Sequence, residues 1–158
     1  ISSTFTGMII QSFETALAGC VALTAFMPML MGTGGNAGSQ ASVTIIRGLS
    51  LDEIEYKDTL KIMWKELRIS LVCGITLGAA GLVKIILIDN VSFTVGIVVA
   101  LTLIVTVIMA KIIGCSLPIL VKRLGFDPAV VVSPFITTVV DALSLFLYFR
   151  IASMLLNL

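Results

Sequence analysis

The chain has 158 residues, of which 58% are hydrophobic and only 12% charged, with a net charge of +1. A soluble domain carries about 25% charged residues, so this chain belongs in a membrane, and no basic run points to nucleic acid. Its sequence contains no histidine, which removes His-based metal sites and His acid–base catalysis. Cys20, Cys73 and Cys115 lie in separate apolar segments and read as small buried hydrophobes.

In chain order, Ile1 to Phe13 is apolar and uncharged. As a helix it would rise only about 20 Å against roughly 30 Å of hydrocarbon. It is expected to be the tail of a truncated first helix or a short re-entrant piece, and the positive flank of a cleavable signal peptide is lacking. Charge-free runs then outline four full spans: one between Glu14 and Arg47, one from Arg68 to Lys84 with extension to Asp89, one from Asn90 to about Val121, and one from Pro128 to Leu158. The expected fold is an all-α membrane protein, a five-helix transmembrane bundle with the first helix truncated, filling residues 1–158 as a single ion-conducting domain.

The connections differ in character. Arg47 to Arg68 is rich in charge and should be a water-exposed linker that passes into a helix. Asp89-Asn90 is a minimal link. Between Lys122 and Pro128, Gly125 acts as a helix stop, Asp127 as an N-cap and Pro128 as the first helical residue. Lys and Arg concentrate in the first and third connections, which places both in the cytoplasm by the positive-inside rule. Lys111 then falls close to that face, where it can snorkel.

Two motifs carry chemistry. The first span is about 49 Å long as a helix, far more than a bilayer needs, and contains Pro28 and the string Gly32-Thr33-Gly34-Gly35-Asn36-Ala37-Gly38-Ser39-Gln40. Proline and four glycines predict a break in the helix. Broken backbone is tolerated at membrane depth where it is buried in protein or lines a hydrated cavity, so the carbonyls here, with Asn36, Ser39 and Gln40, could face such a pathway. The alternative is close packing, since Gly34 and Gly38 form a GxxxG pair. A phosphate-binding loop is excluded: the Gly-Lys-Ser/Thr ending is absent.

The second motif is Asp141, near the middle of the apolar stretch between Asp127 and Arg150. A charge at that depth costs about 2.5–3.5 kcal/mol on insertion scales, which marks it as a candidate functional residue. At helical spacing its face also carries Ser133, Pro134, Thr137, Thr138, Ser144 and Tyr148. The alternative is a structural aspartate bonded to a neighbouring Ser or Thr. An all-oxygen stripe suits a hard cation. One carboxylate per chain cannot cage a bare ion, but Mg²⁺ keeps its waters, and a symmetric dimer would bring two Asp141 together. Asp127 and Glu14 are weaker candidates, at opposite ends of the pathway. No nucleophile–base pair is present, so an enzyme is not expected.

The string Pro28 to Gly48, PMLMGTGGNAGSQASVTIIRG, resembles the signature of the transmembrane domain of MgtE-type magnesium channels. Gly125-Phe126-Asp127-Pro128-Ala129, followed by Ser133-Pro134 and Asp141-Ala142, resembles that family's last helix. The resemblance covers essentially the whole chain. It implies a homodimer with a pore at its interface, lined by the second and fifth helices. It further implies that Asp141 holds a hydrated Mg²⁺, that the Thr137 backbone carbonyl assists, and that Asn36, with Gly34 and Gly35, lines the same region. Ser133 departs from the family, which often has Asn there. Bacterial members carry a cytoplasmic regulatory domain that these 158 residues do not resemble, so the chain is expected to be either a pore domain alone or part of a longer protein.

The expected function is therefore a Mg²⁺ channel in a prokaryotic plasma membrane, with membrane lipid and a second copy as partners and Mg²⁺ as the conducted, pore-bound ion. A carrier coupled to H⁺ or Na⁺ and a non-transporting membrane scaffold are the alternatives. Channel against carrier, the choice among Mg²⁺, Mn²⁺, Co²⁺ and Ni²⁺, and the gating mechanism stay open at this level.

Overall fold

The computed structural model describes residues 2–14, 18, 20–54 and 56–156. Among them are five α-helices: α1 (Ser2–Ser12), α2 (Met27–Ser50), α3 (Thr59–Leu87), α4 (Phe93–Arg123) and α5 (Pro128–Leu156). Short 3₁₀ turns, Val21–Phe26 and Tyr56–Asp58, precede α2 and α3, and the described residues include no strand. The expected five-helix, all-α architecture is what forms.

The helix ends follow local chemistry. Ser92 caps α4 by accepting from the Val95 amide. Gly125 adopts φ +83°, the left-handed conformation that stops α4. The Asp127 Oδ1 then accepts from the Ala129 amide at 2.9 Å, with Pro128 opening α5 as expected. Lys122 reaches across to donate to the Leu49 carbonyl at 2.6 Å, tying the ends of α2 and α4 together.

Helix α4 is the hub, packing on α2, α3 and α5, while α2 also packs on α5 and α1 lies against α5. More than half of the apolar span of α4 is buried (56%), against 28% for α3 and for α5. Those three helices are long and apolar enough to cross a membrane. Four full spans were expected; α2, at 24 residues, has the length but not the apolarity, because its middle is glycine, Asn, Ser and Gln. Its glycine face is instead packed against α4 and α5.

Small residues bring the backbones close, as membrane bundles require in the absence of a hydrophobic drive between helices. A Cβ on Gly78 of α3 would stand 3.0 Å from the Ala100 carbonyl, and one on Gly74 would stand 3.2 Å from the Ile104 Cα of α4. Gly114 of α4 meets the Gly38 carbonyl of α2 so closely that no Cβ fits. Side chains fill the rest: Leu23, Leu30, Ile85, Val98, Tyr148 and Phe149 at one end, and Val107, Ile136 and Val140 at mid-depth.

The glycine-rich string is where expectation and structure part. Residues 27–50 form one continuous α-helix, with Pro28 in its first turn where its missing N–H costs nothing. The interruption lies earlier, at the 3₁₀ turn Val21–Phe26. Packing of α2 between α4 and α5 overrides the low propensity of its glycines, so the GxxxG alternative describes this segment.

Candidate functional site

Helices α2 and α5 meet along their glycine and β-branched faces. A Cβ on Gly34 would come within 2.7 Å of Thr106 Cγ2, 2.8 Å of Val140 Cγ1 and 2.9 Å of Ser144 Oγ, and one on Gly38 within 2.9 Å of Ile136 Cγ2. Gly34 is therefore buried as a packing residue. Gly35, one residue on, faces the carboxylate: Asp141 Oδ1 lies 3.6 Å from where its Cβ would be. The two motifs singled out in the sequence thus meet at Gly35 and Asp141.

Asp141 is half-buried and makes no hydrogen bond or ion pair with any described residue. The neighbours that could have satisfied it bond elsewhere. Thr137 and Thr138 both donate to the Pro134 carbonyl, at 3.3 and 3.0 Å, and Ser144 donates to the Val140 carbonyl at 2.6 Å. A structural aspartate would have drawn at least one of these protons, because an unpaired buried polar group is costly. This carboxylate is left open toward whatever occupies the space before it.

The stripe on α5 divides in two. Ser133, Pro134 and Thr137 are exposed, whereas Ser144 and Tyr148, on the same helical face, are fully buried. The 3₁₀ turn covers the upper part: the Tyr148 hydroxyl donates to the Leu23 carbonyl at 3.0 Å, and Phe13 stacks on Phe149 with ring centroids 5.1 Å apart. Ser144 and Tyr148 thus belong to the core, not to a continuous polar track.

On α2, Gly32, Asn36 and Gln40 are exposed along one face beside the open part of α5. Two turns from Asp141 toward the start of α5, a cavity of about 290 Å³ lies between the helices, with Ser39, Ser42, Arg47 and Ser133 among its lining residues. Ser42 and Arg47 are additions that the sequence did not single out for this groove. Asp127 is an N-cap about 21 Å along α5 from Asp141. Glu14 is exposed and follows Phe13, at the level of Phe149, about 12 Å beyond Asp141. Neither is brought to the Asp141 level.

Two further features escaped the sequence. Lys111 does not snorkel: it pairs with Glu66 of α3 at 3.1 Å, and the two side chains are only 11% and 12% exposed. The Thr106 hydroxyl, behind Gly34, is buried without a partner. No group of three or more Cys, Asp or Glu that could hold a metal ion occurs among the described residues. A cation at Asp141 would therefore need waters, backbone oxygens or a second copy to complete its shell.

Comparison with known proteins identifies the family. A family model described as MgtE, divalent cation transporter, matches residues 27–151. Proteins named magnesium transporter MgtE are similar throughout: that of Thermus thermophilus is 36% identical over 96% of this chain and 33% of its own length. That of Bacillus subtilis is 40% identical over 93% of this chain and 32% of its own, and that of Enterococcus faecalis 30% identical over 96% and 33%. The chain spans about a third of the length of these curated relatives. Matched from α2 to the last turns of α5, and carrying three helices able to cross a membrane, the chain belongs to the MgtE family of divalent cation transporters, a family of transporters rather than enzymes.

Proposed function

We propose that this chain conducts hydrated Mg²⁺ across the membrane as a channel, through a pathway centred on Asp141. The observation that carries this reading is the unpartnered carboxylate beside Gly35, whose hydroxyl neighbours all donate elsewhere. The similarity to proteins named as magnesium transporters supports Mg²⁺ as the ion carried.

Asp141 attracts the ion by charge and binds it through its waters, since Mg²⁺ dehydrates reluctantly. The Thr137 backbone carbonyl and the Asn36 amide accept from or orient those waters. Gly35 keeps α2 from crowding the carboxylate, while Gly34 holds α2 against α4 and α5. Ser133 and Asp127 lie on the approach from the basic-loop side, which is cytoplasmic in this reading, and Glu14 lies toward the other side. The exposed faces of α2 and α5 are covered by a second copy, so that two Asp141 carboxylates share one ion; their mutual repulsion without a cation makes that ion part of the assembly. Selectivity comes from the width and charge of the site rather than direct ligation.

Flux into liposomes tests the reading. Asp141→Ala should weaken Mg²⁺ binding by about 10–100-fold, the range seen when a group acting on a metal through its shell is lost, and flux should fall accordingly. Unchanged flux would remove Asp141 from the pathway. Wild-type flux should follow the membrane potential with no H⁺ or Na⁺ gradient present; arrest on removing those gradients would make the protein a coupled carrier instead.

A further inference from the structure

The start of α3 carries Lys61, Lys65 and Arg68 at i, i+4 and i+7, with Val72 one turn further on the same face. None of these three cations pairs with another described residue. Glu66, the carboxylate within this run, is held by Lys111. Lys65 and Arg68 line a groove of about 580 Å³, with Ile69, Val72 and Cys73 as the other described lining residues. An adjoining hollow is lined by Lys61 and again by Lys65 and Arg68, together with Glu53 and Asp58, three cations against two carboxylates. Leu60 and Trp64, 81% and 63% exposed, stand at the same end of the helix.

A groove with cations at one end and apolar walls below, on the outward side of a membrane-crossing helix, matches one kind of molecule. Its polar end favours negative charge, because neither Lys65 nor Arg68 forms an ion pair with a described residue. Its lower part needs hydrocarbon. Arginine binds phosphate oxygens through a bidentate fork, and lysine adds a point charge. A zwitterionic headgroup brings its own ammonium and would leave the cations poorly neutralised. The exposed Trp64 is suited to the headgroup level.

We propose that this groove binds an anionic phospholipid, with its phosphate held by Lys65 and Arg68 and an acyl chain lying along Ile69, Val72 and Cys73. The site stands apart from Asp141 and is independent of whether the chain conducts ions.

Trp64 is the chain's only tryptophan, so its fluorescence reports on this location. The chain is reconstituted in phosphatidylcholine vesicles, and brominated phosphatidylglycerol or brominated phosphatidylcholine is added as quencher. The anionic lipid should quench Trp64 at a lower mole fraction, and the preference should shrink in high salt. Lys65→Gln and Arg68→Gln should each lower that preference roughly fivefold, the effect of one cation near an anionic membrane surface. Arg150→Gln, at the end of α5, should leave it unchanged. Equal quenching by the two lipids in wild type would overturn the proposal, as would an undiminished preference in both groove variants or an equal loss in Arg150→Gln. Displacement of the brominated lipid by soluble glycerol phosphate would reassign the groove to a free phosphate. Protection of Trp64 from both lipids would assign it to a protein surface.

Discussion

Glu66, in the charged first turns of α3, and Asp141, in the apolar middle of α5, are both carboxylates on long helices, and the fold treats them in opposite ways. Glu66 on α3 faces α4, meets Lys111 at 3.1 Å and is nearly enclosed. Asp141 on α5 faces α2, where the opposing residue is Gly35, and finds neither cation nor donor among the described residues. Burying an acid is costly in either place. What separates a structural acid from a candidate ion site is the residue across the interface: a lysine neutralises, whereas a glycine leaves room.

The contrast can be broken from either side. Lys111→Met should give the largest loss of stability, roughly 3 kcal/mol, because it strands the Glu66 charge. Thermal unfolding in detergent would register this, and the double variant Lys111→Met/Glu66→Met should recover most of it. Asp141→Asn should by contrast leave the unfolding midpoint at or above the wild-type value; a drop as large as that of Lys111→Met would mean Asp141 has a structural partner. Tyr148→Phe removes the bond to the Leu23 carbonyl at the closed end of α5 and should cost about 1 kcal/mol. Its Mg²⁺ affinity should match wild type, whereas a weakened affinity would extend the pathway into the region described here as core. Gly35→Ala is the mildest change, since the added Cβ makes an ordinary contact with Asp141 Oδ1. It should shift stability by less than about 0.5 kcal/mol, while Gly35→Val, whose γ-methyls enter the carboxylate's space, should weaken Mg²⁺ binding without unfolding the chain.

The helices and their ends were largely legible in the residues. Charge-free runs located the apolar helices, and Gly125, Asp127 and Pro128 marked the α4–α5 turn. Asp141 stood out because its cost is local and needs no knowledge of the fold. The continuity of α2 was not legible. Helix propensity argues for a break at Gly32–Gly38, and only the neighbouring helices, pressed against those glycines, reverse the balance. The Lys111–Glu66 pair joins residues 45 positions apart, and no local pattern encodes it. The division of the α5 stripe was hidden for a similar reason: periodicity puts Thr137, Ser144 and Tyr148 on one face, but Gly34 of α2 covers Ser144 and the turn at Val21–Phe26 covers Tyr148.

The crossing of Gly114 over the Gly38 carbonyl fixes how far apart α2 and α4 stand. Any side chain at 114 would act as a spacer, lifting α2 away from its seat and carrying Gly35 away from Asp141. The width of the proposed ion site is therefore gauged by a residue that stands away from Asp141. Variation at position 114 should accordingly be read as a change of calibre, even where the carboxylate and everything beside it are intact.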